Sequence, residues 1–214
     1  MTLSKRYPLR ISRGESAGSV NLFCTVTEDG VSGLGEASPG RLTGAESAED
    51  CENQIKDFLG ENTQALDNPF DGWQMARDAG VAPCAWAAVD TALWDLLARS
   101  QSKPLYRLLG LPRRAVPTSV TIGILPPDVV RERVPEVIQR TGARYLKVKL
   151  GSPEGLDADC EMFSAVQEAA SSFDVKVRVD ANGGWNLKDA QKMMTWLKKH
   201  DCDYVEQPLH HNND

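Results

Sequence analysis

The sequence has few cysteines, and they do not cluster. The five thiols are odd in number, far apart and never arranged as Cys-x-x-Cys. A disulfide framework requires an even set of cysteines, and a structural zinc site requires closely spaced thiolate pairs. The pattern therefore favours reduced, packed thiols, as in a cytoplasmic protein. They are Cys24, Cys51, Cys84, Cys160 and Cys202.

The sequence also lacks long apolar runs and long cationic runs. It has no stretch of about 18 apolar residues, the length that a membrane-spanning helix needs. Residues 1–10 contain no apolar segment typical of a signal peptide. The net charge of −6, without a run of five cations, argues against nucleic acid as a partner. We expect a cytoplasmic location and neither a nucleic-acid nor a membrane partner.

Three short apolar runs of strand type each end in charged side chains, and the segments between them are long enough for one helix. Side chains at i and i+2 share a face of a strand, so Lys147 and Lys149 project together. If the strands are parallel neighbours, Asp180 and Glu206 lie on the same rim as the lysines. The motifs are Lys147-Val148-Lys149, Asp180-Ala181-Asn182 and Glu206-Gln207-Pro208.

This grouping of two carboxylates and two amines indicates a particular chemistry. Carboxylate oxygens at strand ends suit Mg²⁺. A lysine crowded by a second cation and a metal has its pKa lowered toward that of a working general base. The pattern therefore predicts removal of a proton beside a metal-held carboxylate. The alternative is an edge strand on which both lysines are simply solvated.

Other motifs are weaker. The run from Asp180 imitates an EF-hand loop, but Trp185 stands at its sixth position and Gln191 at its twelfth, where glycine and glutamate are required. His210 and His211 imitate a metal-ligand pair, although adjacent side chains rarely face one metal.

The glycines of Gly33-Leu34-Gly35 imitate a dinucleotide-binding loop, but Ser38 replaces the third glycine and Pro39 follows. A strand that leaves a hairpin explains these glycines without a ligand. Glu36 is then expected to be a structural carboxylate.

The element pattern predicts two domains and an α/β fold. Residues 1–115 read as an α+β domain, with strands in 7–11, 20–27 and 33–37, a flexible loop over 12–19, and helices in 45–59, 71–79, 82–99 and 105–109. Residues 116–214 alternate between strands (116–122, 144–149, 175–180, 203–206) and helices (128–139, 157–171, 187–199). Such alternation with a functional rim predicts part of a parallel barrel.

The order Lys-x-Lys, Asp-x-Asn-Gly, Glu-Gln-Pro resembles the enolase superfamily, in its mandelate racemase and muconate lactonizing branch, and most of all the L-Ala-D/L-Glu dipeptide epimerases. Residues 33–37 and 88–95 resemble the capping domain of that branch. The resemblance implies an α+β capping domain followed by the first half of a (β/α) TIM-type barrel.

The resemblance also implies roles for five side chains in an epimerase that works through an enediolate. Lys149 would remove the proton alpha to a substrate carboxylate, and Lys147 would help to neutralise that carboxylate. Asp180 and Glu206 would be ligands of Mg²⁺, with Asn182 supporting them. Such charge stabilisation is needed because an aliphatic α-proton is a very weak acid.

For the substrate, the resemblance implies a small carboxylate, such as a dipeptide. Thr121 on the first barrel strand would bond its peptide part. The loop 12–19 would reach over the barrel mouth and carry Arg13 as its cation.

Some alternatives stay open at this point. A muconate cycloisomerase, an o-succinylbenzoate synthase, or a non-catalytic remnant or interaction protein would share much of this pattern. Assembly as a homo-oligomer also stays open. The resemblance implies a third carboxylate ligand from a fifth strand and an opposing lysine from a sixth, and the sequence stops at Asp214. We therefore expect residues 1–214 alone not to epimerise a substrate.

Overall fold

The computed structural model describes residues 1–40, 42–114 and 116–213, and the chain divides into two compact units. The first contains residues 1–4 and 18–114, and the second contains residues 5–17 and those after Arg114. The predicted domain boundary falls at Ala115, outside the described residues, and stays a prediction.

The N-terminal residues form two antiparallel sheets of two strands each. Strands β1 (Thr2–Ile11) and β2 (Gly14–Val20) form one sheet, and β3 (Leu22–Glu28) pairs with β4 (Val31–Ala37) in the other. The flexible loop predicted over residues 12–19 is therefore wrong. Most of it is strand β2, because Gly18 lets the backbone approach β1 so closely that a Cβ there would lie 2.5 Å from the Leu3 carbonyl oxygen.

Helices of the first unit pack on the β3–β4 sheet and on one another. They are α1 (Ala48–Glu61), α2 (Pro69–Asp78), α3 (Pro83–Ser100) and α4 (Leu105–Leu108), with a 3₁₀ turn at Thr63–Leu66. Helix α3 buries an apolar stripe at helical spacing that includes Trp86, Val89 and Leu93. A Cβ at Gly33 or Gly35 would collide with the backbone of α3, so these glycines allow helix–sheet packing and need no dinucleotide to explain them.

The second unit contains a four-stranded parallel sheet in the order β5-β6-β7-β8. The strands are β5 (Ser119–Ile122), β6 (Tyr145–Lys149), β7 (Lys176–Asp180) and β8 (Val205–Glu206), and the helices between them are α5 (Pro127–Thr141), α6 (Leu156–Ala170) and α7 (Leu187–Lys199). The predicted alternation is confirmed. Strand β5 begins three residues later than predicted because Pro117 has no N–H and restricts the residue before it.

The core of this unit lies between the sheet and its helices. Leu146, Val148 and Val179 are fully buried and project from the same face of the sheet. Phe163 of α6 and Met193 of α7 belong to the same core. Burial of this face fixes the strand register, because a shift by one residue would turn every apolar side chain to the other face. The polar side chains at alternate positions are therefore held on the opposite face.

Across the part of the chain that the structure describes, every helix is too short or too polar to cross a membrane.

Candidate functional site

The predicted site residues lie in adjacent rows across the parallel sheet. Lys149 is the register partner of Asp180, and Asp180 is the register partner of Glu206. In the row below, Thr121 pairs with Lys147. Because the strands are parallel, these positions lie at the carboxyl ends of β6, β7 and β8, where the active sites of (β/α) barrels are found.

Two lysine–carboxylate pairs form at these strand ends. Lys149 Nζ lies 2.6 Å from Asp180 Oδ2, and Lys147 Nζ lies 2.7 Å from Glu206 Oε2. The first pair is the more buried, since 13% of the Lys149 side chain and 3% of the Asp180 side chain are exposed. For Lys147 and Glu206 the corresponding values are 23% and 39%. The two lysines are therefore held by carboxylates and are not solvated on an open edge.

The carboxylate of Glu206 stabilises the charged form of Lys147. The hydrogen bond from Lys147 to Glu206 raises the pKa of that lysine, and burial opposes the shift less strongly. Lys147 is thus held as a cation.

Asn182 supports the end of strand β7. Its backbone N–H donates to Asp180 Oδ1 at 2.9 Å, and its side-chain Nδ2 lies 3.4 Å from Gln207 Oε1. The residue adopts the left-handed conformation, with φ of 48°, which asparagine tolerates better than most residues. These contacts fix the orientation of the Asp180 carboxylate.

The oxygen atoms at this rim suit a hard cation. Asp180 and Glu206 provide carboxylates, and Asn182 Oδ1 is buried without a hydrogen-bond partner. Mg²⁺ is commonly held by one or two carboxylates while keeping several waters. Within the described ranges, no group of three His, Cys, Asp or Glu side chains is placed to hold a metal. The donors present therefore fit Mg²⁺ as a partial ligand set.

The turn between β1 and β2 lies against the same strand ends. Ser12 Oγ donates to the Asn182 carbonyl oxygen at 3.1 Å. A Cβ at Gly184 would come within 2.8 Å of Ser12 Cβ, so the turn packs tightly on the loop after β7. Arg13 is the exposed second residue of this turn. The structure places Arg13 beside the rim, although on a tight hairpin turn and not on the long loop predicted.

Thr121 lies deeper than the rim. It is partly buried on β5, on the same face of the sheet as its register partner Lys147. Arg178 lies in the same row, as the register partner of Lys147, and its Nε lies 2.9 Å from Asp203 Oδ2. The guanidinium also lies 3.8 Å from the centre of the Tyr145 ring. The row of Thr121, Lys147 and Arg178 thus lies beneath the row of Lys149 and Asp180.

The other metal motifs do not form sites. His210 and His211 are exposed, and their rings contact each other with centroids 4.0 Å apart. The residues after Asp180 turn directly into helix α7 and do not form an EF-hand loop. Glu36 accepts a hydrogen bond from Asn21 Nδ2 at 2.5 Å, in agreement with a structural role.

Sequence reasoning missed Asp159. This carboxylate is buried on α6 and accepts hydrogen bonds from both loops that follow β6 and β7. The one sequence signal was an acidic residue in the first turn of a helix, which is common and carries no site by itself.

Comparison with known proteins identifies the family. Residues 2–110 match the mandelate racemase / muconate lactonizing enzyme N-terminal domain, and residues 129–214 match the enolase C-terminal domain-like family. The chain therefore belongs to the mandelate racemase / muconate lactonizing branch of the enolase superfamily, as the strand-end motifs and the capping domain indicated. Its four parallel strands with their helices form part of a TIM barrel.

Several similar proteins within the family are named dipeptide epimerases. A hydrophobic dipeptide epimerase of Roseobacter litoralis is 58% identical over 97% of this chain and 59% of its own length. One from a Flavobacteria bacterium is 47% identical over 98% of this chain and 60% of its own length. The crystal structure of a dipeptide epimerase from Enterococcus faecalis with Mg and L-Leu-L-Tyr has a TM-score of 0.84 and 30% identity, covering all of this chain and 60% of that one. The chain thus spans about three-fifths of the length of these relatives.

Proposed function

We propose that this chain supplies the capping domain and one half of the catalytic rim of a dipeptide epimerase. The observation that carries the proposal is the row formed by Lys149, Asp180 and Glu206, with Lys147 directly below it. This row places one amine beside a buried carboxylate and a second amine beside a more exposed one. Family membership and the similarity to dipeptide epimerases support the reaction class.

Lys149 is the proposed base. Its Nζ lies on the polar face at the end of β6, where it can accept a proton from the carbon alpha to a substrate carboxylate once it is unprotonated. Strand β6 is paired with a neighbour on each side, and Lys149 itself is the register partner of Asp180. Such constraint suits proton transfer, because a misplacement of about 1 Å can cost about 10²-fold in rate.

Lys147 is proposed to hold charge and not to move a proton. Its ammonium group is stabilised in the charged form by Glu206, so it can help to neutralise the substrate carboxylate as the enediolate forms. Asp180 and Glu206, with Asn182 at their side, would hold Mg²⁺. When bound, Mg²⁺ would supply Lewis-acid stabilisation of the negative charge that develops on that carboxylate.

We propose an apolar dipeptide as the substrate, and not an Ala-Glu type. The two relatives that are 58% and 47% identical are both named hydrophobic dipeptide epimerases. Thr121 would contact the peptide part, and Arg13 at the hairpin turn would contact a substrate carboxylate. The preference is tested by comparing kcat/KM for L-Leu-L-Tyr and L-Ala-L-Glu in the full-length protein. A higher value for L-Ala-L-Glu would contradict it.

The role of Lys149 is tested by exchange of the substrate α-proton in deuterium oxide. In the full-length protein, Lys149→Ala should abolish exchange from one stereoisomer, because the base on that face is gone. Lys147→Ala should still exchange the proton slowly. Its kcat should fall by about 10²-fold or more, because charge stabilisation is lost. If the wild-type protein did not exchange the α-proton of either stereoisomer, the epimerase proposal would be refuted.

Lys176→Ala is the matched control, since Lys176 begins strand β7 on the same face of the sheet and is exposed. We expect wild-type exchange in this variant. If Lys149→Ala, like the control, exchanged the α-proton of both isomers at the wild-type rate, another residue would be the base.

A further inference from the structure

Asp159 is a buried carboxylate that joins two loops which are distant in sequence. Its side chain lies on the first turn of α6 and the residue is 1% exposed. Oδ1 accepts from the Ser152 backbone N–H at 3.0 Å, and Oδ2 accepts from the Gly151 backbone N–H at 3.1 Å. Oδ2 also accepts from the indole Nε1–H of Trp185 at 2.8 Å.

The two loops held by Asp159 are those that follow the proposed base and the proposed metal ligand. Gly151 comes two residues after Lys149, and Trp185 lies in the loop between Asp180 and helix α7. The loops also touch directly, since a Cβ at Gly151 would lie 2.6 Å from the Ala181 carbonyl oxygen. A single side chain therefore fixes the exits of both strands.

Burying a carboxylate is unfavourable because the charge loses its hydration, and the three hydrogen bonds to Asp159 offset only part of that loss. Burial raises the pKa of Asp159, and the hydrogen bonds from Ser152, Trp185 and Gly151 oppose that shift. The three donors are uncharged N–H groups, so the contacts are directional and fix orientation without a competing cation. An apolar side chain would pack here at lower cost, and it would leave three N–H groups without an acceptor.

We propose that Asp159 is a positioning residue, which holds the loops after β6 and β7 so that Lys149 and Asp180 keep their relative placement. Its effect on catalysis rests on the proposed function, whereas its effect on the two loops does not. Because it contacts neither substrate nor reacting atoms, it acts only through the strand ends. The related expectation is that its loss alters both metal affinity and turnover.

The test is Asp159→Asn in the full-length protein, with Asp157→Asn as the matched control. The Asp159→Asn variant would keep the side-chain shape but offer one acceptor oxygen in place of two. Asp157 lies in the same helical turn and is exposed, so its variant removes the same charge beside the same helix end. Amide hydrogen exchange followed by mass spectrometry is read in the peptides that cover residues 150–153 and 181–186.

We expect Asp159→Asn to raise exchange in both peptides by about tenfold, as the loss of one ordinary hydrogen bond does, and Asp157→Asn to change neither. The Kd for Mg²⁺, measured by calorimetry, should rise by about tenfold or more. The kcat for the dipeptide should fall by up to about 10²-fold with a smaller change in KM. The Mg²⁺ Kd does not depend on the fraction of active protein, so mere loss of folded enzyme would not move it.

Trp185→Phe serves as a second variant if Asp159→Asn does not fold. It keeps an aromatic ring and removes one donor, and it should loosen residues 181–186. Unchanged exchange in both loops of a folded Asp159→Asn protein, or equal changes in both Asp variants, would overturn the proposal. If the wild-type protein had no epimerase activity, the proposed function would fail, and the exchange difference between the two Asp variants would still decide the positioning role.

Discussion

The two faces of the parallel sheet in the second unit obey opposite rules. On one face Leu146, Val148 and Val179 are buried against helices, and removal of apolar surface from water stabilises the fold. On the other face the same strands hold Lys147 and Lys149 beside carboxylates. Alternation along each strand means that no residue of β6 could be moved to the other face without turning its neighbours as well. The apolar face thus fixes the geometry that the polar face uses.

The polar face is itself divided. The pair Lys149–Asp180 is almost removed from water, whereas Lys147–Glu206 is partly solvated. Buried ion pairs are seldom the most stabilising choice for a site, because desolvation offsets their attraction. The proposed catalytic role accounts for charged pairs at these strand ends. The apolar face, the buried pair and the partly solvated pair are expected to differ in how much each contributes to stability.

The largest effect is expected on the apolar face. Phe163→Ala should lower the free energy of unfolding by about 3–5 kcal/mol, since Phe163 is fully buried and its ring packs edge-on against Trp196 with centroids 5.8 Å apart. Urea unfolding followed by circular dichroism measures the change. Ser164→Ala, at the next and exposed position of α6, should change the value by less than about 0.5 kcal/mol. A similar small change for Phe163→Ala would mean that this face does not hold the fold together.

The buried ion pair should behave non-additively. Asp180→Asn leaves the Lys149 ammonium without its charged partner in a largely buried position, and should cost up to about 3 kcal/mol. The double variant Lys149→Met, Asp180→Asn should recover a part of this loss, because no uncompensated charge remains. Equal and additive losses in a double-mutant cycle would show that the two side chains are not coupled.

The same Asp180→Asn variant also sharpens the functional side of the comparison. Calorimetric titration with Mg²⁺ should show a collapse of affinity, since one of two carboxylate ligands is lost. Zn²⁺ should bind more weakly than to sites with thiolate or imidazole ligands, because the rim offers only oxygen donors. Unchanged Mg²⁺ affinity in Asp180→Asn would contradict the proposed ligand.

Sequence patterns predicted the polar rim well and its supports poorly. Lys147, Lys149, Asp180 and Glu206 could be placed together because period-two alternation and parallel strand order are local properties that the chain displays directly. Strand β2 could not be found in this way, because its Gly- and Ser-rich residues have low strand propensity and are held by pairing with β1.

Asp159 was invisible for a related reason. Its partners Gly151, Ser152 and Trp185 come from two loops that meet only after both strands have entered the sheet. Nothing in the local sequence distinguishes a buried acid in the first turn of a helix from the common exposed one, such as Asp157 in the same turn. Tertiary contacts of this kind become evident only from the fold.

The smallest effect on stability is expected for the outer pair. Lys147→Ala removes a partner from Glu206, whose side chain is 39% exposed and can be solvated instead, so the free energy of unfolding should fall by less than about 1 kcal/mol. Salt should reduce this difference further, because solvent screens exposed charges more strongly than buried ones. Urea unfolding of the wild type and of Lys147→Ala at low and at high NaCl concentration measures both effects.

The distinction between the two pairs would be contradicted if Lys147→Ala lowered the free energy of unfolding as much as Asp180→Asn does, independently of salt. Lys147–Glu206 would then behave as a buried pair. The predicted result would instead leave Lys147 with a large effect on turnover and a small one on folding, as expected of a charge that is kept for chemistry.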